Sequence, residues 1–235
     1  MFRGMNSAHS LEAQLKALAD PEKAGKAKRF HKLGEKETET LGIRMPKLRE
    51  LAKQNSTLPL NEVPELLTSP FHESRLLALL ILVQKYKCAD ENEKTAVYNF
   101  YLQHTAYLSS WDLVDCSAYF IVGPYLEHKS RAPLYTLAKS PSLWERRIAM
   151  LSTLHYIRKN DYDDSLQLAE ILLQDPEDLI HKVVGWMLKE IGNRDKQVLE
   201  DFLQSHAQFM HRTTLRYALE KFPKPERQAY LKGKV

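Results

Sequence analysis

Residues 75–79 read RLLAL, a cation followed by small and apolar side chains. The same shape returns as RIAML at 147–151, KVVGW at 182–186 and RTTLR at 212–216. Their loose spacing, roughly 30 to 40 residues per unit, is that of HEAT-like helical repeats. At the matching place in WDLVDCSA, residues 111–118, the charge turns acidic at Asp115. Tandem helical pairs that each set one cation at the same place build a face suited to a polyanion. One carboxylate among those cations stands beside a track for backbone phosphates, where it can touch something cationic held there.

Outward from these segments the chain reads as helical almost throughout. Apolar residues at helical spacing predict helices over 11–19, 45–52, 61–67, 73–86, 91–102, 111–125, 133–139, 144–158, 165–174, 179–191, 197–205 and 212–222. Pro46 suits a first helical turn. The breaks carry Ser69-Pro70, Ser109-Ser110, Ser140-Pro141 and Asp175-Pro176. No window alternates well enough for a sheet. Helices this short cannot each bury a face alone, so they stack as antiparallel pairs. The expected fold is all-α: a right-handed α-α superhelix, or solenoid, of HEAT-like repeats, forming a single domain over 1–235. The charged, Gly-bounded stretch at about 33–42 reads as a loop between N-terminal helices and the repeat body.

Composition narrows the function. With 43% apolar residues in 235, the chain can bury a real core. The net charge of +4 is mild and local: residues 1–60 hold 12 Lys and Arg against 7 Asp and Glu, and the end from Met210 is basic again. Basic ends permit a nucleic-acid partner without demanding one, since solubilising lysines give the same charge. Two cysteines, Cys88 and Cys116, argue against a disulfide scaffold and fit a reducing cytoplasm. The N-terminus lacks the apolar core of a signal peptide, and the longest apolar run, 76–83, is far short of a membrane span. A soluble cytoplasmic protein that meets no membrane is the expectation.

Trp111 and Asp115 are four apart and share a helix face. A carboxylate beside an indole attracts cations by charge and by the ring quadrupole. The same spacing suits a core tryptophan and an inter-repeat salt bridge equally well. Ser109-x-x-Asp112 resembles a capping box with Asp in the third place, which makes Asp112 structural. Trp144 reads as packing between repeats. Gly185 precedes Trp186 inside a helix, at about 1 kcal/mol relative to alanine, so another helix or a ligand backbone must come close there. Arg147 and Lys182 lie on the basic ladder, and Lys189 is one turn beyond Trp186; each also suits an ion pair between repeats. The nine histidines show no metal-ligand spacing, and the eight glycines form no phosphate loop. No nucleophile elbow is present. Neither a metal nor a cofactor is expected.

Taken in order, FHKLGEKETETLGIRMPKLRELAK, SPFHESRLLALLILVQKY, WDLVDCSA, LWERRIAML, DLIHKVVGWMLKEIG and MHRTTLRYALEKFP resemble the DNA alkylation repair family, known best for its AlkD-type DNA glycosylases. The resemblance runs from about Phe30 to Leu231. It implies a concave basic face that holds duplex DNA containing an N3- or N7-alkylated purine, whose glycosidic bond is cut without flipping the base. It assigns the catalytic carboxylate to Asp115 and the flanking indoles to Trp111 and Trp186. It assigns DNA contact to Arg147 and Lys189, the latter standing where the best-known member has arginine. Phe30 stands where the family has a tyrosine facing DNA, so the hydroxyl is missing. The ladder adds Arg75, Lys182 and Arg212 as phosphate contacts. The function expected is therefore a monomeric DNA glycosylase. The alternatives are a non-catalytic binder of distorted or branched DNA and a protein-interaction scaffold, because fold alone does not decide.

Overall fold

The computed structural model describes residues 7–27 and 39–233. Phe30 and residues 33–38 of the charged loop lie outside them. Among the described residues the regular structure is helical, and the sole extended pairing is an isolated parallel bridge between Glu39 and Phe71. No helix among them is long and apolar enough to cross a membrane. The helices fall into two compact units, Met1–Ser117 and Ala118–Val235.

The first unit holds α1 (Ala8–Ala17), α2 (Pro21–Ala27), α3 (Met45–Gln54), α4 (Val63–Leu67), α5 (His72–Cys88), α6 (Glu91–Gln103) and α7 (Trp111–Asp115). Its centre is α5. The run Leu76–Val83 is apolar all round, and a helix without a polar stripe must be covered on every side. Helices α1, α3, α4, α6 and α7 all pack on it. The first turn of α5 also holds the chain that leads into α3. Buried Glu73 accepts the backbone N–H groups of Leu41 at 2.9 Å, Gly42 at 2.8 Å and Ile43 at 3.3 Å. Gly42 has φ +76°, and a Cβ there would lie 2.4 Å from the Asp20 carbonyl oxygen, so only glycine fits this crossing.

The second unit holds α8 (Ala118–Tyr125), α9 (Ala132–Ala138), α10 (Leu143–Ser152), α11 (Leu154–Ile157), α12 (Asp163–Leu172), α13 (Asp178–Gly192), α14 (Lys196–His206), α15 (Arg212–Ala218) and α16 (Lys224–Leu231). Helices α10, α13 and α15 pack in series, with α9, α12 and α14 beside them. Gly185 decides how closely α13 meets α15: a Cβ there would lie 2.5 Å from the Thr214 carbonyl oxygen and 2.5 Å from Tyr217 Cβ. The approaching helix that the sequence leaves open for this glycine is therefore α15. Gly123 of α8 meets the Ser152 carbonyl in the same way, at 2.4 Å.

Two expected helices are each two. The helix over 111–125 breaks at Cys116 and Ser117, where the Ser117 hydroxyl donates to the Leu113 carbonyl at 2.6 Å. The helix over 144–158 breaks at Thr153, whose hydroxyl donates to the Met150 carbonyl at 2.7 Å. Such side-chain bonds compete with the helical ladder, which apolar periodicity does not register. The pattern also misses α2 and α16, which are short and mostly polar.

Glu127, just beyond α8, is bound by Lys159 and by His155 of α11, the latter at 2.9 Å. Lys159 first and His155 second lower its carboxyl from the ordinary 4.5 to about 2. A carboxyl depressed in the folded state stabilises above its unfolded value, and that contribution fades as pH falls through the folded value. Urea unfolding between pH 7 and 2.5 therefore shows a loss for the native chain that begins below 4.5. Glu127→Gln is less stable at neutral pH and shows a flatter acid limb.

Candidate functional site

Helix α7 is five residues long and carries both Trp111, its first residue, and Asp115, its last. The indole of Trp111 is 42% exposed, unusual for so large an apolar side chain on a packed helix. Asp115 is half-buried, while Leu113 and Val114 are fully buried and anchor α7 below. Asp115 is close enough to Cys116 and Tyr101 to reinforce what burial does first, which is to push the Cys116 thiol and the Tyr101 phenol up. The Cys116 thiol donates to the Leu113 carbonyl at 3.3 Å.

Asp112 is structural, by a different route from the capping box. Ser110, the residue before α7, makes no side-chain cap. Its hydroxyl donates instead to Asp112 Oδ1 at 2.6 Å, and Asp112 Oδ2 lies 2.7 Å from Nε2 of buried His72 on α5. The Ser109 hydroxyl accepts from the Arg75 guanidinium at 3.3 Å. The first turn of α5 thus holds the start of α7 at two points. His72 escapes sequence reasoning, because nothing in the spacing pairs residues 72 and 112.

In the second unit each ladder cation has a local partner. Arg147 is only 5% exposed and donates to the Leu179 carbonyl at 2.7 Å, joining α10 to the start of α13. Lys182 pairs with Asp178 one turn earlier at 2.8 Å. Lys189 pairs across helices with Glu220 at 2.9 Å. Arg212 reaches the Leu231 carbonyl at 3.2 Å. Counted from the helix starts, Asp115, Arg147 and Lys182 each take the fifth place of α7, α10 and α13. The fifth place of α15 belongs to Arg216, and Arg212 opens that helix. Trp186 is half-buried beside Gly185, and its indole N–H donates to Glu190 Oε1 at 3.3 Å. Trp144 is also half-buried. Among the described residues no three His, Cys, Asp or Glu side chains gather as metal ligands.

The second unit stacks short helices that repeat one charged place, and the first carries an exposed indole and a carboxylate on one five-residue helix; together the elements are those of a helical-repeat protein. The chain matches the DNA alkylation repair enzyme family over residues 11–222 and belongs to it. Among solved structures it is similar to a predicted DNA alkylation repair enzyme from Enterococcus faecalis. The two are 20% identical with a TM-score of 0.68, over 88% of this chain and 97% of that one. That likeness shows the fold. No curated protein matches the chain.

The burial of Arg147 has a measurable consequence. Arg147→Ala strips the Leu179 carbonyl of a charged donor and costs about 1.5–3 kcal/mol in urea unfolding. A change below about 0.5 kcal/mol would show that the guanidinium does no structural work at this joint.

Proposed function

We propose that the protein is a DNA glycosylase that releases positively charged N3- or N7-alkylated purines from duplex DNA without flipping the base. The observation that carries the reading is the exposed Trp111 indole one helical turn from Asp115, in a chain that belongs to a DNA alkylation repair family. An alkylated purine of this class is already cationic. It leaves with the electron pair of the glycosidic bond as a neutral base and needs no general acid. The barrier is the oxocarbenium character that develops at the sugar, and a fixed carboxylate stabilises charge that appears only there. In this reading Asp115 supplies that charge and holds the attacking water. The water oxygen bonds the anomeric carbon and gives its proton to the carboxylate or to solvent. Trp111 bounds the deoxyribose with its apolar face, and Trp186 is proposed to offer an indole to the duplex.

Arg75, Lys182, Lys189 and Arg212 are proposed to hold backbone phosphates, fixing register without reading sequence; Arg147, which is buried, is proposed to serve that face by joining α10 to α13, and Phe30 is proposed to face the same duplex. The ion pairs of Lys182 and Lys189 do not prevent this. Such pairs are worth at most about 1 kcal/mol when solvent reaches them, so a phosphate can take over either ammonium. Two free cysteines support a reducing, cytoplasmic setting, and the enzyme is proposed to act as a monomer.

Duplex binding falls steeply between 50 and 200 mM salt, by about tenfold or more, as phosphate contacts release counterions. A flat response in fluorescence anisotropy removes DNA as the partner. Release of 7-methylguanine from a duplex is the decisive assay. Asp115→Asn keeps the size and removes the charge, so it lowers single-turnover release by about 100-fold or more with melting temperature and duplex affinity preserved. Tight binding without release by the native chain would make it a non-catalytic binder. A large drop in melting temperature, with a normal rate per folded molecule, would make Asp115 a packing residue.

A further inference from the structure

We propose that His72 and Tyr101 are positioning residues for base release: they fix the helix that presents Trp111 and Asp115, and neither touches DNA. The inference rests on the glycosylase reading above. Helix α7 has five residues and no side-chain cap, whereas an isolated helix needs about 12–15 to be even marginal in water. Its shape is therefore set from outside. Burial of Leu113 and Val114 holds it down, but apolar burial has no direction and leaves rotation about the helix axis poorly fixed. Directional bonds remain, and two neighbouring helices supply them.

At the start of α7, His72 of α5 bonds Asp112 Oδ2 at 2.7 Å while Ser110 bonds Oδ1 at 2.6 Å, so both carboxylate oxygens are held. At its end, Tyr101 of α6 lies 2.9 Å from Ser117 Oγ, which itself donates to the Leu113 carbonyl at 2.6 Å. The serine has one proton and spends it on that carbonyl, so the phenol is the donor to the serine oxygen. Burial, the largest influence on Tyr101, keeps its proton in place. The chain Tyr101 to Ser117 to the Leu113 carbonyl reaches the last turn of α7, and His72 reaches the first. Asp112 and Leu113, the points held, lie between Trp111 and Asp115. His72 is 3% exposed and Tyr101 is 1% exposed, so a duplex cannot reach either.

A positioning role predicts a loss in rate and not in binding. In the full chain, His72→Leu and Tyr101→Phe each lower single-turnover release of 7-methylguanine by about 10- to 100-fold, the scale set by small misplacement of a reacting group. Affinity for undamaged duplex stays within about twofold, because the phosphate contacts are untouched. His72→Gln restores a donor of similar reach and recovers most of the rate. If His72→Leu fails to fold, Tyr101→Phe and Ser117→Ala, which remove one hydroxyl each, carry the test. Release per folded molecule equal to the native rate in these variants overturns the proposal, whatever their melting temperatures. So does an equal loss of rate and affinity. Absence of release by the native chain overturns the glycosylase reading and this inference together. Native release with undiminished variants overturns the positioning role alone.

Discussion

A buried carboxylate that captures three consecutive peptide N–H groups organises the first unit. Glu73 lies in the first turn of the most buried helix, where the partial positive charge of the helix end already favours an anion. Desolvating a carboxylate costs several kcal/mol, and only good donors offset it. Leu41, Gly42 and Ile43 supply them at 2.8–3.3 Å. The result ties residues 41–43 to the start of α5. The residue before Glu73 is His72, which holds α7, and the residue two after it is Arg75, which holds Ser109. One helical turn therefore faces both ways: it fastens the segment that arrives from the N-terminus and it orients the helix that bears the candidate catalytic pair.

The second unit shows the same economy with cations. Arg147 and Lys182 take the same place in α10 and α13 but do different work. Arg147 is buried and bridges to the next helix through a carbonyl, a task for which the rigid, always-charged guanidinium fits. Lys182 pairs within its own helix and stays in reach of solvent. A repeated place in a stacked array thus serves two ends, joining repeats where it is buried and offering charge where it is not. The basic ladder is a property of the helical register, and each rung must be judged by its burial.

Much of this was legible in the residues. Apolar periodicity finds the helices, and the all-apolar run at 76–83 finds the helix at the core. The oddity of a glycine before Trp186 correctly signals a close approach, and the structure names α15 as what approaches. The breaks at Ser117 and Thr153 were not legible, because a hydroxyl that bonds back to its own helix leaves the hydrophobic pattern intact. Asp112 shows the limit most clearly. Its local spacing suggests a cap; one carboxylate oxygen does take a local bond, from Ser110, but the other meets a partner 40 residues away on another helix. Local rules predict local bonds, and the partner was fixed by packing. The burial of Arg147 escaped for the same reason. Its place in the register was visible, but only the stacking of α10 on α13 decides that it faces a carbonyl.

The break after Asp115 bears on the proposed chemistry. In one continuous helix over 111–125 this carboxylate would lie mid-helix, with no end effect beside it. In the structure α7 stops at Asp115, so the side chain sits where the last carbonyls of the helix carry partial negative charge. Burial first, then Asp112 and Asp115, raise the Cys116 thiol. Two carboxylates on one short helix repel a phosphate and attract a cation. In the proposed reaction, a sugar that turns cationic only at the transition state would gain from this more than the bound duplex does, and such a difference lowers a barrier. His72 limits the cost of gathering two carboxylates on one turn by bonding Asp112 from the side of α5. Asp115, at the far end of the turn, is then the carboxylate best placed to serve the charge that develops.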